Sequence, residues 1–273
     1  MSPMMNQRPR WLDALLWFGG ILWLLPLLLI GIVSWATSDY RPTVQLWPSS
    51  WTGENYRQAW QQGQFLLAFF NSALVAIAVT GSQVGTSLLA GYALARYSFR
   101  GRTLVDVLTL ASLIIPMPLL VVPIFLILRS LHSINTYWAI ILPTAANGFG
   151  IFLLRQYIRG LPVALEQAAI LDGARRWQVL WYVVLPLCRP ALTTLALFTF
   201  IGEWNDLFKP LMFTTKPELT TVQLTLSSFQ ELYTANWSLL MAAVVIATLP
   251  VLVLFLLGQK SLLQGLMATG LKG

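Results

Sequence analysis

Long apolar runs alternate with short polar or basic segments from one end of the chain to the other. No side chain is charged from Ala14 to Ser38, more than the about 20 residues a helix needs to cross a bilayer. Arg8 and Arg10 precede this run, which is too long for a signal peptide and lacks a small-residue cleavage site, so it reads as a retained first crossing. Residues 39–64 are polar by comparison, and Trp47, Trp51, Tyr56 and Trp60 suit the headgroup region. Within them TGENYRQAW, residues 52–60, predicts a short helix along the outer surface with Thr52 as its cap.

Glutamines at 58, 61, 62 and 64 keep the start of the next uncharged stretch outside, so the second crossing is predicted from about Phe65 to Ala95. Gly81, Gly85, Ser87, Ala90 and Gly91 give it a small face for close helix packing. Val107 to Leu128 is the third crossing. Pro116, Pro118 and Pro123 free backbone carbonyls there, which points to unwinding beside a translocation path or to a kinked helix. Ser133 to Leu154 is the fourth, and its Asn147 amide should face another helix or a cavity. The fifth, Pro190 to Phe213, is interrupted by Glu203, Asn205 and Asp206. These either line the outer end of a channel or, for the two carboxylates, pair with Lys209. A polar outer loop from Lys216 to Trp237 leads to a sixth crossing from about Leu239 to Gly258, with a kink expected at Pro250.

Composition agrees with this pattern. Of 273 residues 57% are hydrophobic and 10% charged, against roughly 25% charged in soluble proteins, so the fold class is an all-α integral membrane protein. The net charge of +7 is dispersed between apolar runs and forms no patch suited to nucleic acid. With both termini inside, twelve of the seventeen basic residues fall on the cytoplasmic side, as the positive-inside rule requires of six crossings. One cysteine, Cys188, and one histidine, His132, supply neither a disulfide framework nor a Cys/His metal site. A membrane enzyme would need a clustered nucleophile or metal set that these residues do not provide. No phosphate-binding loop of the G-x-x-x-x-G-K-[ST] type occurs, so ATP chemistry has to come from another chain.

Residues 161–190 depart from the apolar pattern. Pro162 suits a first helical turn, and Val163 to Leu171 continue from it without a breaker. Asp172-Gly173 ends this helix, with Asp172 able to cap the next one. Trp177, Leu180, Trp181 and Val184 then recur as one apolar stripe until Pro186 and Pro190 break it. The stretch predicts a helix–turn–helix outside the bilayer, where an ordinary interfacial amphipathic helix is the alternative.

Gln167-Ala168-Ala169, Gly173 four positions later and Leu185-Pro186 resemble the EAA loop of ABC-importer permeases, and EQAAILDGA is similar to the MalG-type subunit of carbohydrate importers. The resemblance implies a MetI-like permease fold of six transmembrane helices, with an N-terminal part over residues 1–64, a permease core over 65–260 and a tail over 261–273. It implies a cytoplasmic coupling helix that enters a cleft of the ATPase subunit through Glu166, Gln167, Ala168, Ala169, Asp172, Gly173 and Ala174. Gln167 departs from the family, which has an acidic residue there, and Glu166 is expected to keep one ionic contact. GLMATGLKG at the C-terminus resembles the family's closing signature, whose tail reaches into the ATPase dimer. That implies docking through Gly265, Gly270 and Lys272 as an extended strand, against a free end as the alternative. The partners implied are an ABC ATPase dimer carrying ATP and Mg, a second, MalF-type permease and an extracytoplasmic sugar-binding protein, in a bacterial plasma membrane. A secondary transporter is the other class weighed, and Glu203 with Asp206 would be its ion or proton relay.

Overall fold

The computed structural model describes residues 10–38, 40, 47–232 and 236–270. Arg8, Arg41 and Lys272 lie outside them. In chain order the helices are α1 (Arg10–Ser34), α2 (Glu54–Gln62), α3 (Phe65–Arg96), α4 (Arg102–Ile114), α5 (Val121–Ser130), α6 (Tyr137–Ile141) and α7 (Gly148–Arg159). Then come α8 (Val163–Leu171), α9 (Arg176–Val179), α10 (Leu185–Leu187), α11 (Arg189–Trp204), α12 (Phe208–Phe213), α13 (Val222–Leu232) and α14 (Trp237–Gly270). Among the described residues the only strand-like pairing is an isolated bridge between Ala36 and Trp51.

Three helices are long and apolar enough to cross a bilayer unbroken, over Trp11–Ser34, Phe65–Arg96 and Trp237–Gln259. Among the described residues three bent pairs pass the same test together, which allows up to six spans by length and composition: α4 with Met117–Ser130 at 102°, Tyr137–Thr144 with α7 at 41°, and Arg176–Leu187 with α11 at 75°. The third crossing is therefore unwound as well as bent. Ile115 is extended, because the residue before a proline is pushed out of the helical region; Pro116 is extended as well, and a 3₁₀ turn over Met117–Leu120 restarts the chain.

The fifth crossing differs from its expected bounds. The helix runs through Pro186 and bends at Cys188, with Pro190 in the first turn of α11, where a missing N–H costs nothing. It ends at Trp204, and α12 is a separate short helix. The segment 216–237 is not all loop either, since it contains α13. Val222, Thr225 and Phe229 bury one stripe of that helix at spacings of three and four.

The chain divides into two compact units, one drawn from residues 1–64 and 226–248, the other from 65–225 and 249–273. In the first, α2 closes the polar end of α1. Asn55 Nδ2 donates to the carbonyls of Ser34 and Ala36 at 2.9 and 2.7 Å, and the Ser34 and Tyr56 hydroxyls meet at 2.6 Å. The cap of this helix is Gly53 and not Thr52, whose Oγ1 accepts the N–H of Glu54, and the helix continues to Gln62, two residues past its expected end.

In the second unit α3 lies against α7 and α11. A Cβ on Gly91 would sit 3.0 Å from the Arg155 nitrogen and Leu154 Cβ, and one on Gly150 would strike the Ser87 hydroxyl. These contacts realise the small-face packing expected of α3. Gly81 and Gly85 take no part, because a Cβ on either would meet nothing within 4 Å. Leu88, Tyr92, Leu154, Ile158, Val184 and Leu195 form the buried cluster beneath residues 161–190.

Candidate functional site

The helix α8 starts after Pro162, which is extended and sits at the cap instead of inside the first turn. Its far end is closed by two bonds. Gly173 N donates to Ile170 O at 3.0 Å, and Ala174 N donates to Ala169 O at 2.9 Å. This double closure needs a left-handed residue between the helix and the departing chain, and Gly173 supplies it with φ of 87°. Ala169 and Ala174, whose carbonyl and amide are joined by that bond, are both partly buried against the core cluster. Asp172 terminates α8 but does not cap α9, where the N–H of Arg175 donates instead to Gln178 Oε1 at 2.7 Å.

The seven residues assigned to coupling thus divide into two faces. Gln167, Ala168, Asp172 and Gly173 are exposed, next to Leu171, which is 88% exposed. A Cβ on Gly173 would have no neighbour within 4 Å, so the chain itself leaves this spot open to a partner. Ala169 and Ala174 face inward, and so does Glu166, which is only 7% exposed. The carboxylate of Glu166 accepts from Arg96 Nε at 2.6 Å, and Tyr92 OH lies 3.4 Å from its other oxygen. The ionic contact expected between Glu166 and a partner is therefore made inside the chain. Sequence reasoning passes over Arg96 and Tyr92 as site residues; their i, i+4 spacing on α3 is the available signal. A cavity of about 450 Å³ opens beside this pair, lined in part by Tyr97, Gln167, Ile170 and Arg176. The Arg176 guanidinium stands 5.2 Å from the centre of the Tyr97 ring.

Beyond α9 the helix widens into a π turn over Leu180–Val184 before α10. Pro186 has no N–H for the carbonyl four residues back, and widening lets the helix continue through it. The single apolar stripe expected here is instead two adjacent faces. Leu180 and Val184 are buried, whereas Trp177 and Trp181 are exposed and meet edge-to-face at 5.4 Å.

The residues proposed for a translocation path do not converge on one site. Pro116 and Pro118 occupy the break after α4. Asn147 is exposed and caps α7, accepting the N–H of Phe149 at 2.7 Å, so of the two settings expected for it, another helix or a cavity, it takes the cavity. It borders a cavity of about 300 Å³ with Thr109 and Ser112. Glu203 and Asp206 follow the pairing reading. Lys209, 1% exposed, places Nζ 2.5 Å from Glu203, 3.2 Å from Asp206 and 2.6 Å from the Thr144 hydroxyl. Asp206 also accepts the N–H groups that open α12. Asn205 stands apart and is bonded to Gln223. A buried polar chain extends this cluster: Gln83 donates to Thr144 O and accepts from Thr199 Oγ1 at 2.7 and 2.9 Å. The sequence signals it only through Gln83, an amide in the uncharged middle of α3.

The tail is helical through Gly270, so Gly265 and Gly270 sit in α14 and not in an extended strand. Helix formers at 261–267, SLLQGLM, continue the crossing past the single Gly265. Lys272 lies outside the described residues.

Residues 83–267 match the family described as binding-protein-dependent transport system inner membrane component. The chain is 36% identical over 228 residues to a probable ABC transporter permease, YurM, of Bacillus subtilis, covering 83% of this chain and 76% of that one. It is 37% identical to the trehalose/maltose transport system permease MalG of Thermococcus litoralis, over 74% of each chain. A crystal structure of a bacterial ABC transporter that imports the acidic polysaccharide alginate contains a similar fold, with a TM-score of 0.79, 24% identity and coverage of 95% of this chain and 99% of that one.

Proposed function

Since the chain belongs to the family of inner membrane components of binding-protein-dependent transport systems, we propose that it forms one half of the translocation path of an ATP-driven importer for a sugar or sugar-like solute. Permeases of this family are non-catalytic subunits, and this chain is one of them. The observation that carries the coupling reading is the exposed, small-residue reversal at 167–173, closed on the chain's own side and open on the other. A cleft in a partner ATPase could approach Gly173 to backbone distance, and Asp172 could meet a cation there.

On this reading an ATPase dimer binds ATP and Mg, closes, and draws α8 toward its counterpart on a second, MalF-type permease. An extracytoplasmic binding protein delivers the sugar to the outer side, and both termini of this chain are cytoplasmic. Lys209 already pairs with both Glu203 and Asp206, the two carboxylates that an ion-driven carrier would use, and this favours the ATP-driven reading. The test is uptake into liposomes containing the co-purified complex. Uptake should require internal ATP and the external binding protein, and should be indifferent to ion gradients. Uptake driven by a sodium or proton gradient without ATP would refute the proposal.

A further inference from the structure

We propose that the buried Arg96–Glu166 pair is the strut through which displacement of α8 reaches α3, which makes Arg96 a positioning residue for coupling. The inference rests on the importer reading and adds the internal route by which force leaves the docking helix.

The anchorage of α8 is sparse. Val163, Ala164, Leu165, Gln167, Ala168, Ile170 and Leu171 are exposed, and the far end is held by the two small contacts of Ala169 and Ala174. At the near end Arg96 takes hold twice, through Nε to Glu166 at 2.6 Å and through Nη2 to the carbonyl of Leu161 at 3.1 Å. One planar guanidinium therefore fixes both the approach to α8 and its first turns. Arg96 is also the last residue of α3, an unbroken 32-residue helix, and Tyr92 one turn earlier flanks the same carboxylate. A shielded, charge-assisted pair is stiff and directional, whereas alanine contacts slide. A pull on the exposed face of α8 is thus delivered to the end of the rod that packs along α7 and α11.

The test uses the full complex with its ATPase. Arg96→Gln and Glu166→Gln should insert and retain the ATPase at wild-type stoichiometry, because the exposed residues at 167–173 are unaltered. Sugar transported per ATP hydrolysed should fall about tenfold, in the range for residues that carry coupling between sites. The reciprocal exchange, Arg96→Glu with Glu166→Arg, should recover most of that loss. Arg96→Lys, which keeps the charge but loses the planar fork, should fall between. Unchanged transport per ATP in Arg96→Gln, or no recovery in the exchanged pair, would overturn the strut. If the glutamine variants lose the ATPase, the pair serves the fold of the docking helix and the strut is likewise overturned. Absence of any ATPase from the wild-type preparation would instead refute the importer reading.

Discussion

Gly173→Val is expected to strip the ATPase from the purified complex while leaving the permease inserted in the membrane. Two effects act together. At φ of 87° a residue with a Cβ costs about 1–2 kcal/mol, and a β-branched one more, so the reversal after Leu171 must open or shift. The added side chain also projects into space that no atom of this chain occupies, where the partner's backbone is expected. Gly173→Asn separates the two, because asparagine tolerates the left-handed region but keeps the bulk. Recovery of ATPase should fall at least tenfold for Gly173→Val, a change of about 1.4 kcal/mol, and less for Gly173→Asn. Quantitative stoichiometry of the purified complex reads both, and full retention in Gly173→Val would contradict the docking assignment.

The largest effect on stability is expected at Lys209. Lys209→Met removes the only cation beside Glu203 and Asp206 among the described residues. Breaking a buried ion pair from one side typically costs about 3–5 kcal/mol, because the remaining charge is left without a partner. The Thr144 hydroxyl loses its contact at the same time, while the backbone N–H of residue 209 still donates to Asp206. The thermal midpoint in detergent should drop by about 10 °C or more. Adding Glu203→Gln and Asp206→Asn to Lys209→Met should restore much of it, since no buried charge then remains. An unchanged midpoint in the single variant would show that the cluster contributes nothing to stability.

How far the structure is legible in the sequence depends on range. Uncharged runs bounded by arginines locate α3 to within a residue, because a bilayer-length apolar stretch leaves one solution for the backbone. Ile115-Pro116 announces the break in the third crossing through local sterics. The turn at Asp172-Gly173 is legible for the same reason.

Pro186 reads as a terminator, but a π turn carries the helix through it, and nothing in the local residue pattern specifies that widening. In the segment 216–237 the stripe of α13 is masked, since Thr225 is buried on it although its side chain is polar. The pairing of Arg96 with Glu166, across 70 residues, is out of reach altogether. Periodicity marks Glu166 as helical and ionisable, but only the packing of α3 beneath α8 shows which way its carboxylate turns. The fate of Glu203 is open in the sequence for a related reason, because Lys209 comes six residues later, off the helical spacing of three or four, and reaches the carboxylate only because α11 ends at Trp204.

The central claim is that the exposed end of α8 seats against a separate ATPase on the cytoplasmic side, and one cross-linking measurement tests it most directly. With the buried Cys188 replaced by alanine, Leu171→Cys provides a single thiol at the most exposed point of the helix. Treatment of permeabilised cells with a maleimide–benzophenone reagent, followed by irradiation, should join residue 171 to the ATPase by insertion into a C–H bond of the partner, and a membrane-impermeant maleimide added to intact cells should leave it unlabelled. Labelling from outside, with no ATPase adduct formed, would contradict the account.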